Sequence, residues 1–462
     1  MSARARGGRF VAGVVAVVVL LAGCTTGVVL HLRRDSDNRA ASRRADATVR
    51  GEAAAAGLAQ ARDSELQKLL DRHAAAVLAH DQQAFLADID PAASEFRTRQ
   101  EAIFRGLRRV PFQAFGYRLV PNRTYTVRAI TQRWGPTAYV AAVVATHRLR
   151  GFDTGDAAEA MAFTVVHRDQ GWALVADDEV DGSLPAQAHS APWDVGEVSV
   201  AQGKHSVVIG DVRDRATLPA VARRADAAAA AVGKVWPAGA GRWPGSVVVY
   251  SARNQKVMST YLSGTQDPAA RPAALAVPVL DGFSWFDSLT KAPKQVGMRV
   301  VVDGAASKAE DDELLRHEVT HVATTAIEGT GTPTWLVEGI AEYTAWHLTG
   351  LRDALVRYGV DETSHQALEK HRYTFTLPYS VQFYDDADTV DGNYTAGTLA
   401  CAYVRERWGQ KTLFRLHAKL SRSVDPLDEA DSQDKVFRSV LGISRAQFER
   451  DAGKAIQQRW FG

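Results

Sequence analysis

Cysteine is almost absent from this chain. Cys24 and Cys401 are the only two in 462 residues, which excludes a disulfide framework and any zinc module built from cysteine. Neither sign of charge dominates: 55 Lys and Arg stand against 53 Asp and Glu, a formal net charge of +2. That balance offers no global basic field, so nucleic acid is not an expected partner, and no acidic tail stands out. Disorder is excluded by composition, at 46% hydrophobic and 23% charged residues. The length suits two or three domains with real cores. A metal site in such a chain has to draw on histidine and carboxylate.

Arg4, Arg6 and Arg9 precede an apolar run over residues 10–32, the basic-then-apolar order of a secretory signal or signal anchor. Its 23 residues suffice, at about 1.5 Å each, to cross a hydrocarbon core of about 30 Å. Leu21-Ala22-Gly23-Cys24 resembles the lipobox of bacterial lipoproteins, whose cysteine carries the lipid. Lipoproteins continue with a polar tether, whereas Val28, Val29, Leu30 and Leu32 prolong the apolar run before Arg33 and Arg34. The favoured expectation is therefore an uncleaved single-pass anchor, with a lipid anchor at Cys24 as the alternative. Both put the body of the protein at the extracytoplasmic face of the cell membrane. Arginines at both ends weaken the positive-inside rule. Cys401, left without a partner, is expected in a buried helix.

Residues 33–62 are rich in Arg, Asp, Ser and Ala and short of large apolar side chains, which predicts a tether or a marginal solvated helix. From Asp63, Leu66, Leu69, Leu70, His73 and Val77 recur at helical spacing, and a second helix is predicted around 82–86. After Pro111 the pattern turns to strands over 117–120, 125–132, 138–149, 160–169 and 172–176. Helices followed by a meandering antiparallel sheet predict a small α+β domain over 63–184. With Gly171-Trp172-Ala173-Leu174-Val175 as its last strand, this order resembles the cone-shaped SnoaL-like (nuclear-transport-factor-like) fold. The resemblance implies a binding or packing module, since no paired acid and base marks it as an enzyme.

Residues 182–194, with Pro185 and Pro192, read as a linker into a second domain over 190–462. Strands are predicted there over 198–200, 206–209, 246–251 and 299–302, and an Ala-rich helix over 218–235. The remainder reads as mostly helical with a small mixed sheet, so the fold class is α+β.

The chemistry lies in His317-Glu318-Val319-Thr320-His321. Zinc takes neutral nitrogen or anionic oxygen ligands in a tetrahedral arrangement. Histidines four apart on a helix stand one turn above each other, about 6 Å along the axis, so both rings reach one ion. Glu318 then points at the water that the ion activates. Two histidines on an ordinary helix are the bland alternative. Leu315, Val319, Val322 and Ala326 form an apolar stripe, and at 100° per residue His317 and His321 project roughly 200–240° away from Leu315. Pro333 opens a second helix whose stripe is Leu336, Ile340 and Tyr343. Glu338 and Glu342 lie roughly 200–240° away from Leu336. Taken alone they read as a solvated face. Laid against the first helix, they would offer His317, His321 and Glu338 to one ion, with Glu342 orienting a histidine ligand through its free ring nitrogen.

This combination resembles the gluzincin metallopeptidases of the thermolysin and aminopeptidase N kind, and most closely the bacterial peptidase MA-like domains. Their His-Glu-x-x-His is followed by a Trp-Leu-x-Glu-Gly helix, matched by Trp335-Leu336-Val337-Glu338-Gly339. Sixteen residues separate His321 from Glu338, slightly fewer than in aminopeptidase N relatives. A metzincin is excluded by Ile327, six positions after His321 where a histidine is required. The resemblance implies Zn2+, a peptide or protein substrate, and Glu318 as general base. Tyr394-Thr395-Ala396-Gly397 matches the Tyr-x-x-Gly that starts a helix in aminopeptidase N relatives. That match implies an oxyanion role for Tyr394, against a helix-capping aromatic as the alternative. The strand over 299–302 resembles the edge strand along which gluzincins align substrate. No counterpart of their Gly-x-Met-Glu-Asn exopeptidase motif occurs, which implies an endopeptidase. A catalytically silent envelope binding or scaffold protein with a structural zinc site is the alternative. Specificity is expected from loops 264–294 and 366–392; oligomeric state is left open.

Overall fold

A computed structural model describes residues 38–178, 191–235, 243–253, 257, 258, 261, 273–282, 293–303, 312–325, 327–329, 331–385 and 387–461. The apolar run over 10–32, with Cys24, lies outside them. No helix among the described residues is long and apolar enough to cross a membrane.

The Leu and Val spacing after Asp63 belongs to α1 (Asn38–Ala79), a single helix of 42 residues that from Asn38 on also takes up the segment expected as a tether or a marginal solvated helix. Leu66, Leu69, Leu70 and Val77 are buried on one side of it. Two shorter helices follow: α2 (Gln82–Ala87), capped by the Asp81 carboxylate accepting from the Ala84 amide, and α3 (Ser94–Leu107). They precede β1 (Phe112–Tyr125), α4 (Arg128–Trp134), β2 (Tyr139–Leu149), β3 (Ala157–Arg168) and β4 (Gly171–Ala176). The four strands form one antiparallel meander in the order β1-β2-β3-β4. Helices and then an antiparallel sheet is the order that the sequence predicts. The strand expected over 125–132 is a correction, because β1 ends at Tyr125 and α4 follows. Ile130 is its single buried side chain, one anchor for a helical turn instead of an alternating face. Gly135, at φ 104°, adopts a backbone that favours glycine and ends α4 through its amide bond to the Thr131 carbonyl.

The second sheet comprises β5 (Val198–Gln202), β6 (Ser206–Asp211), β7 (Val247–Ala252), β8 (Ala274–Leu280) and β9 (Gln295–Asp303) in the order β5-β6-β7-β9-β8. Strands β6, β7 and β9 run parallel, and β5 and β8 flank them antiparallel. Between β6 and β7, α5 (Leu218–Val235) packs Ala222, Ala225, Ala229 and Val232 against Val208, Val249 and Val300. The expected edge strand over 299–302 is a second correction. It lies in β9, which is interior, and β8 is the outermost strand on that side among the described residues. The run Val300, Val301, Val302 is what a strand covered on both faces looks like.

Eight helices follow among the described residues: α6 (Asp312–Thr324), α7 (Thr334–Ala345), α8 (Leu351–Tyr358), α9 (Glu362–Glu369), α10 (Ala387–Trp408), α11 (Gln410–Ser423), α12 (Glu429–Leu441) and α13 (Arg445–Phe461). Their core gathers Trp335, Leu336, Cys401, Phe437 and Phe448. Cys401 is a buried free thiol within α10, as expected.

One apolar core continues from α1 through the first sheet into β6, β7 and β9. Trp193 sits at the junction, with ring-edge contacts to Phe112, His147 and Tyr250. Beside it, Arg299 on β9 makes a fully buried two-bond pair with Asp153 from the β2–β3 connection, at 2.7 and 2.8 Å. The Arg299 Nε also donates to the Tyr250 hydroxyl at 2.9 Å.

Candidate metal centre

Helix α6 begins with Asp312 and Glu313, which suit the positive end of its dipole. Leu315, Val319 and Ala323 bury one of its sides against α5 and the sheet. The opposite side carries His317 and His321, both buried. The Arg316 guanidinium donates to the Ala345 carbonyl and ties α6 to the end of α7. On α7, Leu336, Ile340 and Tyr343 enter the helical core, and Glu338 turns inward with no exposed surface. Ala326 of the expected stripe lies outside the described residues.

Two glycines make the arrangement possible. A methyl group added at Gly339 would stand 2.4 Å from the Gly397 backbone, and one added at Gly397 would stand 2.3 Å from the Trp335 carbonyl. Helices α7 and α10 therefore cross backbone to backbone, which no larger residue permits. The crossing brings Tyr394 beside the metal helix, its ring 6.5 Å from that of His317. Tyr394 sits within α10 and not at its start, a correction to the helix start that the Tyr394-Thr395-Ala396-Gly397 match implies.

His317, His321 and Glu338 converge as a buried group able to hold a metal ion. The two Nε2 atoms are 3.0 Å apart, and Glu338 Oε2 lies 3.3 Å from His317 Nε2 and 3.5 Å from His321 Nε2. Donors bound at about 2.0–2.1 Å in a tetrahedron stand about 3.3 Å from one another, so the triangle fits that geometry. Calcium is disfavoured by the donors themselves, since it takes six to eight oxygens and two of these three atoms are imidazole nitrogens. Glu338 Oε2 has no hydrogen-bond partner, an orphan that an ion would satisfy. Burial alone would raise the Glu338 carboxyl; the His321 and His317 rings outweigh it and hold the group well below the usual carboxylate range.

Glu342 accepts its expected place: its Oε1 lies 3.0 Å from His317 Nδ1, on the side of the ring away from the donor triangle. Tyr358 donates to its other oxygen. Glu318 is fully buried, and no side chain hydrogen-bonds either of its oxygens. Burial pushes its carboxyl up; the nearby histidines and the Ala276 amide of β8 oppose that rise. The Asp303 amide bonds the Ala273 carbonyl, which makes 273 and 303 a hydrogen-bonded pair. By alternation, Ala274, Ala276 and Pro278 turn their main-chain groups away from β9, and Pro278 has no N–H to leave unpaired there.

The sequence reading singled out neither Tyr358 nor Tyr384. The Tyr384 hydroxyl donates to Glu338 Oε1 at 2.8 Å and is also hydrogen-bonded to Tyr394. Tyr384 falls within loop 366–392, where no motif or periodicity marks it. Comparison with known proteins finds no matching family and no matching curated protein.

Proposed function

We propose that the protein is a membrane-tethered, extracytoplasmic zinc metallopeptidase of gluzincin type. The observation that carries this reading is the tetrahedral spacing of His317, His321 and Glu338 beside a buried Glu318 that no side chain engages. Those three side chains would hold Zn2+, matching the two imidazoles and one carboxylate of hydrolytic zinc sites. The ion, when bound, supplies Lewis acidity toward the scissile carbonyl and makes water acidic enough to react near neutral pH. Glu318 takes the proton of the attacking water and passes it to the departing amine as the C–N bond breaks. A phenol at Tyr394 is a neutral donor whose hydrogen bond strengthens as the carbonyl becomes an oxyanion. An extended peptide would lie along the outward main-chain row of β8, close to Glu318. The unit of α1–α3 and the first sheet, with its SnoaL-like order, has a packing role in this reading.

Glu318→Gln in the full-length protein is the test. Hydrolysis of an unfolded protein substrate should fall by a factor on the order of 10²–10⁴, the typical contribution of a general base. Bound zinc should stay near one per chain. Unaltered hydrolysis would end the mechanism, and a wild-type protein that is fully loaded yet inert toward every peptide would leave the scaffold reading.

A further inference from the structure

We propose that Tyr384 is a positioning residue of the metal centre, whose hydroxyl dictates which oxygen of Glu338 faces the ion. A carboxylate can ligate through one oxygen or both, and the second mode would occupy the position that substrate needs. Here the two oxygens of Glu338 are distinguished. Oε1 accepts from Tyr384, while Oε2 faces the two Nε2 atoms and has no hydrogen-bond partner. The phenol holds Oε1 and leaves Oε2 as the single ligating atom.

The mount is rigid. Tyr384 ends the turn that begins with Ser380. The Ser380 hydroxyl accepts from the Thr334 amide at the start of α7, and its own amide bonds the Glu429 carboxylate on α12. Asn393 on α10 donates to the Phe383 carbonyl at 2.9 Å. Three helices thus fix the turn that carries the phenol. A proton inventory orders the rest. Glu338 is an acceptor only, so the single Tyr384 proton is committed to it. In the resting protein Tyr394 must then donate to the Tyr384 oxygen, giving the chain Tyr394, Tyr384, Glu338; its role toward an oxyanion requires that one proton to turn from Tyr384 to the substrate. Tyr394 stands one bond further from Glu338 than Tyr384 does in that chain, so the two phenols have separable tasks.

The inference rests on the metal reading and not on peptide hydrolysis. Zinc affinity of full-length Tyr384→Phe, measured by chelator competition, should fall about 10- to 100-fold, as for other outer partners of metal ligands. Tyr394→Phe, which leaves the Tyr384–Glu338 bond in place, should lose clearly less affinity than Tyr384→Phe. Near-UV circular dichroism checks that both variants are folded. In the Co2+-loaded protein, Tyr384→Phe should weaken the visible d–d bands as the second carboxylate oxygen joins the coordination sphere. Wild-type affinity and spectrum in Tyr384→Phe, or an equal loss in Tyr394→Phe, would overturn the proposal. A wild type that binds zinc tightly but cleaves nothing would refute the proposed activity alone.

Discussion

At the scale of single residues, burial sets how this protein meets acid. His147 lies at the junction of the sheets, 3.5 Å from the Arg299 guanidinium and against the Trp193 ring. Burial, reinforced by Arg299, pushes its pKa down to about 3. His73, stacked on Phe85 inside the first unit, is lowered as well, by burial that outweighs Asp88. Both rings therefore take up a proton less readily in the folded chain than in the unfolded one. For His147, stability is lost as pH falls from about 6.5 toward about 3, at about 1.4 kcal/mol per pH unit for one proton. Denaturant unfolding between pH 6.5 and 4 should thus show a slope about one proton shallower in His147→Gln; an unchanged slope would sink the assignment. The residues of the metal centre divide by the same logic of visibility. His317, His321, Glu338 and Glu342 were legible because each pair repeats at one turn of a helix, opposite an apolar stripe. Tyr358 and Tyr384 were not, because their partners are 16 and 46 positions away and only the packing of helices joins them.

At the scale of elements, the α7–α10 crossing decides whether the centre forms. Gly397→Ala forces a methyl group onto the Trp335 carbonyl, and neither backbone can yield without moving a helix. The expected cost is about 1–3 kcal/mol, as for overpacking elsewhere. Because α7 carries Glu338, zinc affinity should fall along with stability. Chemical denaturation and chelator titration of the same variant check this, and a variant with wild-type affinity would show that the crossing does not set the ligand position. Sequence pattern served long amphipathic elements well, as the helix expected over 218–235 and found as α5 shows. It failed where tertiary context overrides local preference. Residues 128–134 have too few apolar positions to separate a helical turn from an alternating strand. The valines of β9 announce a strand, but its neighbours on either side come from distant segments.

At the scale of the whole molecule, the Asp153–Arg299 pair fastens the first sheet to the second. Asp153→Ala leaves a buried guanidinium without its counter-charge, a loss of about 3–5 kcal/mol in comparable buried pairs. Equilibrium unfolding measures it, and a loss below about 1 kcal/mol would show that water or Tyr250 replaces the carboxylate. Expression of residues 190–462 alone should give an aggregating or molten chain, since it would bare Tyr250, Leu275, Val277 and Val301. A cooperative melt of that fragment would contradict the shared core. The consequence reaches past stability. Val277 on the outermost strand stands directly across from Arg299, so the first sheet, through Asp153, braces the strand beside Glu318. Exchanging the first sheet and its helices for an unrelated module would mean rebuilding that brace as well, and the two parts are free to diverge only in step.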